Sequence, residues 1–257
     1  MGFFSFLDPV LNFVFSPLLN LSPLLGIMIM SFLISLIIVI IYKYATNQSL
    51  MKQLKDEIKE LQKQAKELKE EPEKAMAVQK KAMQTNMKYM MQSMKATLIT
   101  FIPIIIIFGW LQAHFAFVPI LPDQDFSMTI NFEEGVQGNV SVSVPDGIKI
   151  LGSSVQKIEN NKAVFSFNGK AGVYNSPPIE FRYNNILYSK DVIITSGKEY
   201  VEPIKTIRGS ETVDSIVTSN EKNIIINLFG WGLGWLGSYI IFALIFSMIL
   251  RKLLKVY

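Results

Sequence analysis

The sequence predicts an α-helical membrane protein with three transmembrane helices, a cytoplasmic antiparallel coiled-coil hairpin and an extracytoplasmic antiparallel β-sandwich insertion. Three observations lead to this fold class. Three long segments are apolar and uncharged, the segment between the first two is strongly polar with helical periodicity, and the segment between the last two alternates apolar and polar residues. Half of the 257 residues are hydrophobic, and their clustering into long runs favours a membrane protein over one large soluble domain.

The three apolar segments are each long enough to cross a bilayer. Residues 24–42, 98–121 and 230–250 contain no Asp, Glu, Lys or Arg. A helix rises ~1.5 Å per residue, so even the shortest segment spans roughly 28 Å, close to the ~30 Å thickness of the hydrocarbon core. With their flanking residues, the predicted transmembrane helices are 23–42, 97–121 and 227–250.

The polar segment at residues 43–96 has the pattern of a helical hairpin. In its first arm the apolar residues recur at intervals of three or four, which places them on one face of a helix. Pro72 follows two glutamates and disfavours helix just before it, so the chain is expected to turn there. The apolar residues of the first arm are Leu50, Leu54, Ile58, Leu61, Ala65 and Leu68.

The second arm carries a stripe of methionines at helical spacing, namely Met76, Met83, Met87, Met90 and Met94. In one interpretation, an antiparallel coiled coil buries the leucine and methionine stripes against each other. In another, the flexible and polarizable methionines form a surface that accepts many different apolar partners. Both interpretations hold if the two arms pair through the leucine stripe and near the turn at Pro72, while part of the methionine stripe stays exposed to partners.

The distribution of charge predicts the orientation in the membrane. Short segments beside membrane spans keep Lys and Arg on the cytoplasmic side. Residues 43–96 hold twelve Lys against seven acidic residues, residues 251–257 are basic, and residues 122–226 hold ten basic against thirteen acidic residues. We therefore expect a multi-pass protein with its N-terminus outside and its C-terminus in the cytoplasm. The net charge of +4 is then a topology signal and requires no sequence-specific nucleic acid.

The first 22 residues are apolar and aromatic, with Phe3, Phe4 and Phe6 near the start. Asp8 and Pro9 are suited to the N-cap and first turn of a short helix. No Lys or Arg precedes Lys43, whereas a secretory signal carries a basic segment before its apolar core. Residues 1–22 are therefore interpreted as an interfacial amphipathic segment.

The segment at residues 122–226 is predicted to be an extracytoplasmic β-sandwich-like domain. Alternating apolar and polar residues indicate six or seven short strands, five of them with definable bounds, and turn signals such as Pro145-Asp146-Gly147 and Asn168-Gly169 separate them. Residues 197–222 are polar and are expected to form a looser connection to the last span. The predicted strands are 127–132, 139–144, 163–167, 179–183 and 187–195.

Polar residues within the spans have two interpretations. Ser31 and Ser35 stand four residues apart on one helical face, where serines usually pack helices together by bonding to the backbone. Alternatively, they line a polar furrow. Gly230 and Gly234 are spaced for close helix contact, and His114 is the sole histidine, better suited to anchoring than to a metal site.

The sequence offers little for catalysis. It has no cysteine, which excludes disulfides and thiolate chemistry, and it has no phosphate-binding loop, nucleophile elbow or His-Glu-x-x-His motif. The spans contain no carboxylate, which disfavours an ion or proton transporter. We expect a protein that is not an enzyme and that needs no cofactor or metal.

The order of these parts resembles the archaeal three-helix members of the YidC-like membrane protein insertase superfamily. The resemblance covers residues 20–121 and 225–257 and includes Trp231 to Trp235 and Ser247 to Lys255. It implies a membrane chaperone in the plasma membrane, with three helices around a furrow that is open to lipid and to the cytoplasm. The sequence departs from the bacterial pattern, because no basic residue lies within its predicted spans. The outer β-domain is not part of the shared core.

The resemblance implies that nascent membrane proteins are the partners, captured by the methionine stripe and passed to the lipid bilayer. The Lys-rich hairpin is a candidate contact for the ribosome. The alternative is a non-catalytic scaffold or receptor that links a partner of the outer β-domain to a cytoplasmic partner of the coiled coil. The residues that could hydrate the implied furrow are Ser31, Ser35, Thr97, Thr100, Gln112, Ser238 and Ser247.

Overall fold

The computed structural model describes residues 7–68 and 71–256 and divides into two compact units. The helical unit comprises Met1–Gly109 and Leu236–Tyr257, and the β-rich unit comprises Trp110–Trp235. The predicted N-terminal segment lies only partly within the described residues, since Phe3, Phe4 and Phe6 fall outside them.

Within the described residues the chain forms five α-helices, and three of them are long and apolar enough to cross a membrane. These three are α2, α4 and α5, which confirms the predicted number of candidate spans. The helix bounds are α1 Asp8–Leu19, α2 Pro23–Ala45, α3 Gln48–Glu67, α4 Pro72–Phe115 and α5 Trp235–Leu253.

Side-chain caps determine where the first two long helices begin. Ser22 Oγ accepts a hydrogen bond from Leu25 N at 3.4 Å, and Pro23 occupies the first turn of α2. Asn47 Oδ1 accepts from Leu50 N at 3.1 Å at the start of α3. Each cap satisfies an N–H group that has no partner within its helix, so the chain can change direction between α2 and α3.

The second hairpin arm and the second span form one uninterrupted helix, α4, of 44 residues. Helix α4 continues through Pro103, because a proline removes only one backbone donor and membrane helices tolerate this loss. The helix ends at Phe115, before Pro119 and Pro122.

The start of the last span is a correction to the predicted bounds. Helix α5 begins at Trp235 rather than at residue 227, and residues 226–233 form a β-hairpin. Gly230 and Gly234 therefore lie outside the helix, and their predicted role in helix contact is wrong. The physical reason is local: Phe229 and Gly230 both have positive φ, 51° and 91°, which a helix cannot accommodate.

The β-rich unit contains two larger antiparallel sheets and the small hairpin. One sheet has five strands in the order β3-β5-β1-β9-β8, the other has four in the order β4-β2-β6-β7, and β10 pairs with β11. The bounds are β1 Phe126–Phe132, β2 Asn139–Ser143, β3 Ile148–Leu151, β4 Val155–Lys157, β5 Lys162–Gly169, β6 Gly172–Tyr183, β7 Ile186–Ile194, β8 Ile204–Thr206, β9 Val213–Thr218, β10 Ile226–Leu228 and β11 Trp231–Leu233.

Residues from both larger sheets contribute to one hydrophobic core. Phe165 and Phe167 of β5 are buried with Phe181 of β6, and the rings of Phe165 and Phe181 lie 5.6 Å apart. The alternating burial along β1 and β5 follows from the pleat, which sends successive side chains to opposite faces. This region confirms the predicted antiparallel β-rich segment.

The expectation of a loose connection at residues 197–222 is wrong. Strand β9 lies inside the five-stranded sheet, between β1 and β8, with Ile216 opposite Ile130. Val213 and Ile216 are completely buried, so β9 supplies part of the core. Its apolar pattern is short and is interrupted by Asp214 and Ser215, which explains why the sequence reads as polar.

Candidate functional site

The two helices of the polar hairpin pack through two stripes of side chains, one on α3 and one on α4, whose members recur at intervals of three and four residues. On α3, Met51, Leu54 and Leu61 are buried, and on α4 Thr85 and Ala96 are buried. Thr85 Oγ1 donates to Glu57 Oε1 at 3.4 Å, which joins the two helices. Half-buried residues complete the same stripes, namely Ile58 and Ala65 on α3, Leu68 directly after its end, and Ala75, Val78, Ala82, Tyr89 and Gln92 on α4.

The methionine stripe lies on a different face of α4. Met76, Met83, Met87, Met90 and Met94 are 57–71% exposed, and the neighbouring Met91 is 62% exposed. The expectation that the leucine and methionine stripes bury each other is therefore wrong for the methionines. The small side chains of Ala75, Ala82 and Thr85 take the inner positions instead, one residue or two from the methionines along the chain.

The exposed methionine face continues into the membrane-spanning part of α4. Leu98, Phe101 and Ile105 are 66%, 59% and 42% exposed, and they extend the series from Met83 at intervals of three or four residues. We call this continuous apolar surface the α4 track. It consists of Met83, Met87, Met90, Met94, Leu98, Phe101 and Ile105.

Four helices meet where the hairpin joins the spans. A buried cluster contains Val39 and Tyr42 of α2, Met51 of α3, Ala96 of α4 and Leu250 of α5. Because each helix contributes at least one side chain, this cluster packs the hairpin against the ends of the predicted spans that lie nearest to it.

Arg251 lies beside this cluster. Its guanidinium carbon is 4.8 Å from the centroid of the Tyr42 ring, which is the geometry of a cation–π interaction. Its Nε atom is buried without a hydrogen-bond partner among the described residues. Since α5 extends to Leu253, Arg251 belongs to the last helix, beyond the predicted end at residue 250.

Three of the serines predicted for the furrow are buried within the helical unit. Ser31 is completely buried, and its Oγ donates to Ile27 O at 2.7 Å, one turn earlier in α2. Ser35 Oγ donates to Ala243 O of α5 at 3.5 Å, so it joins two helices. Ser238 is also completely buried. These contacts are typical of serines that pack membrane helices.

The remaining hydroxyls of the helical unit have different surroundings. Thr97 is exposed, and its Oγ1 donates to Ser93 O at 3.1 Å, whereas Thr100 is buried and donates to Thr97 O at 2.9 Å. Ser247 is half-buried on α5. The structure therefore links Ser35 with α5, while Thr97 and Thr100 bond within their own helix.

Gln112 belongs to the β-rich unit, where it has two partners. Its Oε1 accepts from Trp235 Nε1 at 3.1 Å, and its main-chain oxygen accepts from the hydroxyl of Tyr200. Burial raises the pKa of Tyr200 to about 12, so this hydroxyl stays a donor at every physiological pH. Gln112 thus holds the end of α4 to residues 200 and 235.

His114 has the surroundings of an anchoring residue. Its Nδ1 lies 2.8 Å from Trp110 O, so that nitrogen donates, and the two rings stack with centroids 4.4 Å apart. Across residues 7–68 and 71–256, no three His, Asp or Glu side chains are placed to hold a metal ion.

Two features escaped the sequence analysis. The inner stripe of α4 follows a heptad spacing, but it is made of Ala, Val, Thr, Tyr and Gln, so the stripe of larger apolar methionines beside it is the stronger signal in the sequence. The contact between Tyr42 and Arg251 joins residues far apart in the chain, and no local signal reveals it.

Comparison with known proteins supplies a family. The model of the integral membrane protein family described as EMC3/TMCO1-like matches residues 7–148, which is more than half of the chain and covers α1 to α4 and the first strands. No curated protein and no solved structure matches the chain. That family is part of the YidC/Oxa1/Alb3 insertase-like superfamily, as the order of spans and hairpin predicted, and its members are generally non-enzymatic. The chain belongs to the EMC3/TMCO1-like family of integral membrane proteins.

Proposed function

We propose that this protein is a membrane protein insertase, a chaperone that helps nascent membrane proteins enter the bilayer through a lipid-open, partly hydrated furrow. The family implies insertase-type function in general, and the α4 track is the observation that carries the specific proposal. Its methionines lie on the polar hairpin, outside the predicted spans, so lipid does not cover them, and a soluble protein rarely exposes so many large apolar side chains in one row.

The α4 track suits capture because of the chemistry of methionine. The side chain is unbranched and polarizable, so it adapts to different apolar sequences at little cost. Met83, Met87, Met90 and Met94 offer a helical segment of a nascent protein an apolar surface, and Leu98 and Phe101 extend that surface towards the bilayer. The substrate then moves along one helix face from the hairpin to lipid without losing apolar contact.

The furrow lowers the cost of moving polar groups. A polar loop in hydrocarbon loses water without gaining new hydrogen-bond partners, which costs several kcal/mol per group by order of magnitude. Hydroxyl groups along the path provide replacement partners. Within the helical unit the proposed furrow residues remain Ser31, Ser35, Thr97, Thr100, Ser238 and Ser247, whereas Gln112 belongs to the β-rich unit.

The domain assignment supports this division of labour. We propose that α3 and the first part of α4 act as an antiparallel coiled coil, since both inner stripes follow heptad spacing. We further propose that the two larger sheets form a β-sandwich in an extracytoplasmic insertion, because residues of both sheets share one core.

The charge distribution supports the location and the partners. We propose a plasma-membrane protein of archaeal type, with a cytoplasmic hairpin whose Lys residues can approach a ribosome and with residues 122–226 outside. Protease added to sealed, right-side-out vesicles is expected to trim residues 122–226 and to spare residues 43–96. The opposite digestion pattern would reverse the assigned orientation.

Crosslinking of stalled nascent chains tests capture directly. A photoreactive amino acid at Met87 or Met90 is expected to crosslink to an apolar nascent segment during cell-free synthesis with vesicles containing the protein. The matched control is Gln84, which is exposed on the same helix but lies off the track. Equal crosslinking at Gln84 and Met87 contradicts capture by the track, and one stable partner in place of nascent chains favours the scaffold alternative.

Substitution separates apolar character from shape. Replacing Met83, Met87, Met90 and Met94 together by Gln is expected to reduce insertion several-fold, while replacing them by Leu retains most of it. The Leu variant is the control, because it keeps apolar area at similar volume. If both variants insert substrate as well as the natural protein, the track is not the capture surface.

Hydration of the furrow has its own test, which the absence of natural cysteine makes straightforward. Ser35→Cys and Ser247→Cys are expected to react with a water-soluble thiol reagent from the cytoplasmic side. Ile37→Cys, on an exposed position of α2, is the lipid-facing control and should not react. If Ser35→Cys and Ser247→Cys are as inert as Ile37→Cys, the furrow is dry.

A further inference from the structure

The hairpin formed by β10 and β11 carries two strongly exposed aromatic residues, and one of them, Phe229, is the most exposed aromatic residue of the described chain. Leu228 and Trp231 face each other across the pair, and Phe229 and Gly230 form the two-residue turn. Phe229 is fully exposed, Trp231 is 80% exposed and Leu228 is 42% exposed. We call these three residues the hairpin tip.

The turn residue at Phe229 is unusual for its conformation. Phe229 and Gly230 both have positive φ, the arrangement that normally selects Asn or Gly. The same unit shows the usual choice in the turn between β6 and β7, where Asn184 and Asn185 have φ of 46° and 64°. A bulky aromatic side chain at this position gains nothing from the backbone and makes no buried contact, so it requires a reason outside the turn.

Hydrogen bonds hold the hairpin at its turn and at its base. Asn227 Oδ1 accepts from Gly230 N at 3.0 Å within the turn. Ile225 N donates to Leu233 O at 2.8 Å, which closes the base of the hairpin. A Cβ at Gly232 would approach Ile224 Cδ1 to 2.8 Å, so the backbone of β11 lies directly against this side chain. The tip is presented by an ordered base rather than by a slack loop.

The base of the hairpin is also tied to the segment that follows α4. Asn223 N donates to Ala116 O at 3.0 Å, and Val118 N donates to Glu221 O at 2.8 Å. These bonds place the base of the hairpin beside the residues that follow the end of α4 at Phe115, and α5 begins at Trp235, two residues after the hairpin. Phe229 is six residues before Trp235, at most ~20 Å of extended chain, which keeps the tip within reach of the membrane surface.

We propose that the hairpin tip inserts into the interfacial layer of the leaflet in which α5 begins, with lipid as its partner. Three observations select lipid. The hairpin ends two residues before a membrane helix, the chain from Asn223 to Leu250 contains no charged side chain that would oppose entry, and the tip presents Phe and Trp. Aromatic rings of this kind prefer the boundary between headgroups and acyl chains.

The inserted tip gives the β-rich unit a contact with the bilayer in addition to its two chain connections. Phe229 and Leu228 supply apolar contact with the acyl chains, and the indole N–H of Trp231 bonds at the headgroup level. This role is independent of the insertase proposal, since it uses none of the residues of the α4 track or the furrow.

A single-cysteine depth measurement tests the proposal. A nitroxide on Phe229→Cys, in the full chain reconstituted in phosphatidylcholine–phosphatidylglycerol vesicles, is expected to collide several-fold more often with oxygen than with a water-soluble nickel chelate. The matched control is Asn184→Cys, which has the same left-handed backbone in the turn between β6 and β7. Cysteine at position 229 introduces no strain that phenylalanine lacks, so this variant keeps the hairpin.

Each outcome at position 229 decides the matter. Preference for oxygen supports lipid insertion. The proposal is overturned if the nickel chelate collides with the probe at position 229 as often as it would with a probe on a free aqueous turn. Protection from both reagents overturns it as well, because it indicates a protein partner or a second copy at the tip.

Tryptophan fluorescence provides a second measurement that needs no label. In vesicles of lipid brominated near the headgroup end of the acyl chains, the emission of the natural protein is expected to be quenched more than that of Trp231→Phe, because only the natural protein has an indole at position 231. Trp110 and Trp235 remain in both proteins and serve as internal references. Equal quenching of the natural protein and Trp231→Phe contradicts insertion of the tip.

Discussion

In the β-rich unit, Phe165 and Phe167 are at most 1% exposed, whereas Met87 and Phe101 of the helical unit are each 59% exposed. The strands bury their large apolar side chains in a shared core, and α4 displays them in a row. Both sequences are rich in large apolar residues, so hydrophobicity alone does not separate the two regions.

The difference lies in what the apolar residues contact. In the β-rich unit they contact one another, so each contributes to folding. Along α4 the inner stripe of Ala, Val and Thr provides the packing, and the methionines are left for another partner. Stability and binding are thus assigned to different faces of one helix. Substitutions on the inner face should change the stability, and substitutions on the methionine face should change binding.

The largest effect is expected in the core of the β-rich unit. Phe165→Ala should reduce the free energy of unfolding by about 3–5 kcal/mol, because it removes a buried ring and leaves a cavity. Hydrogen exchange of the full chain in nanodiscs measures this as faster exchange along β1 and β5. Val164→Ala is the control, since Val164 is 44% exposed on the other face of β5 and should change the stability by less than about 1 kcal/mol. Equal effects of the two substitutions would contradict the assigned core.

Lys190 should make the β-rich unit more stable at alkaline pH. This lysine is 2% exposed, and its Nζ donates to Glu202 O at 2.6 Å. Desolvation lowers its pKa to about 8, with opposing influence from Asp191. Between about pH 8 and pH 10.5 the unfolded chain holds a proton that the folded chain has released, so stability rises with pH across this window, by about 3 kcal/mol at most.

The measurement for Lys190 is a difference between two proteins. Urea unfolding of the full chain in nanodiscs at pH 7.5 and pH 10.5 should show a larger gain for the natural protein than for Lys190→Met. Lys162→Met is the control, because Lys162 is exposed at the start of β5 and should keep the gain. A pH dependence that Lys190→Met leaves intact would assign it to other groups.

Sequence patterns predicted the elements whose signals are local. The three candidate spans and most of the central strands follow from charge and from the alternation of apolar and polar residues. Strand β9 was missed because its residues are half polar, and only its position between β1 and β8 buries Val213 and Ile216. Tertiary pairing decided that element, and a local pattern does not contain such information.

The proposed functional surfaces were predicted in part for the same reason. The methionine stripe was recognised from its spacing, but its exposure depends on which face of α4 packs against α3, and two faces of comparable periodicity compete in the sequence. The hairpin at residues 226–233 was read as helix because its residues are uncharged and apolar. The left-handed turn at Phe229 overrides that pattern, and phenylalanine gives no warning of it.

Substitutions in the packed hairpin of α3 and α4 should show an intermediate loss of stability on the buried face and almost none on the exposed methionine face. Leu61→Ala is expected to destabilise the packing of α3 on α4 by about 2–3 kcal/mol, because Leu61 is 5% exposed. Met87→Ala, at an exposed position of α4, should change it by less than about 0.5 kcal/mol. Hydrogen exchange at residues 50–65 measures both. A large effect of Met87→Ala would mean that the methionines pack between α3 and α4 and that the α4 track stabilises the hairpin instead of binding a substrate.

The smallest expected effect concerns Ser35. Its Oγ donates to Ala243 O at 3.5 Å, a long hydrogen bond between two helices, and such bonds contribute about 0.6 kcal/mol in membrane proteins. Ser35→Ala should therefore lower the thermal stability of the full chain in nanodiscs only slightly, while Ser35→Leu should lower it much more, because the site is 2% exposed and has no room for the larger side chain. The Ser35→Ala variant also distinguishes packing from hydration. If Ser35 only packs helices, the Ser35→Ala protein inserts substrate at the natural rate. If its hydroxyl also replaces water for a passing polar loop, Ser35→Ala slows insertion of substrates with polar loops and leaves stability almost unchanged, a combination that packing alone does not produce.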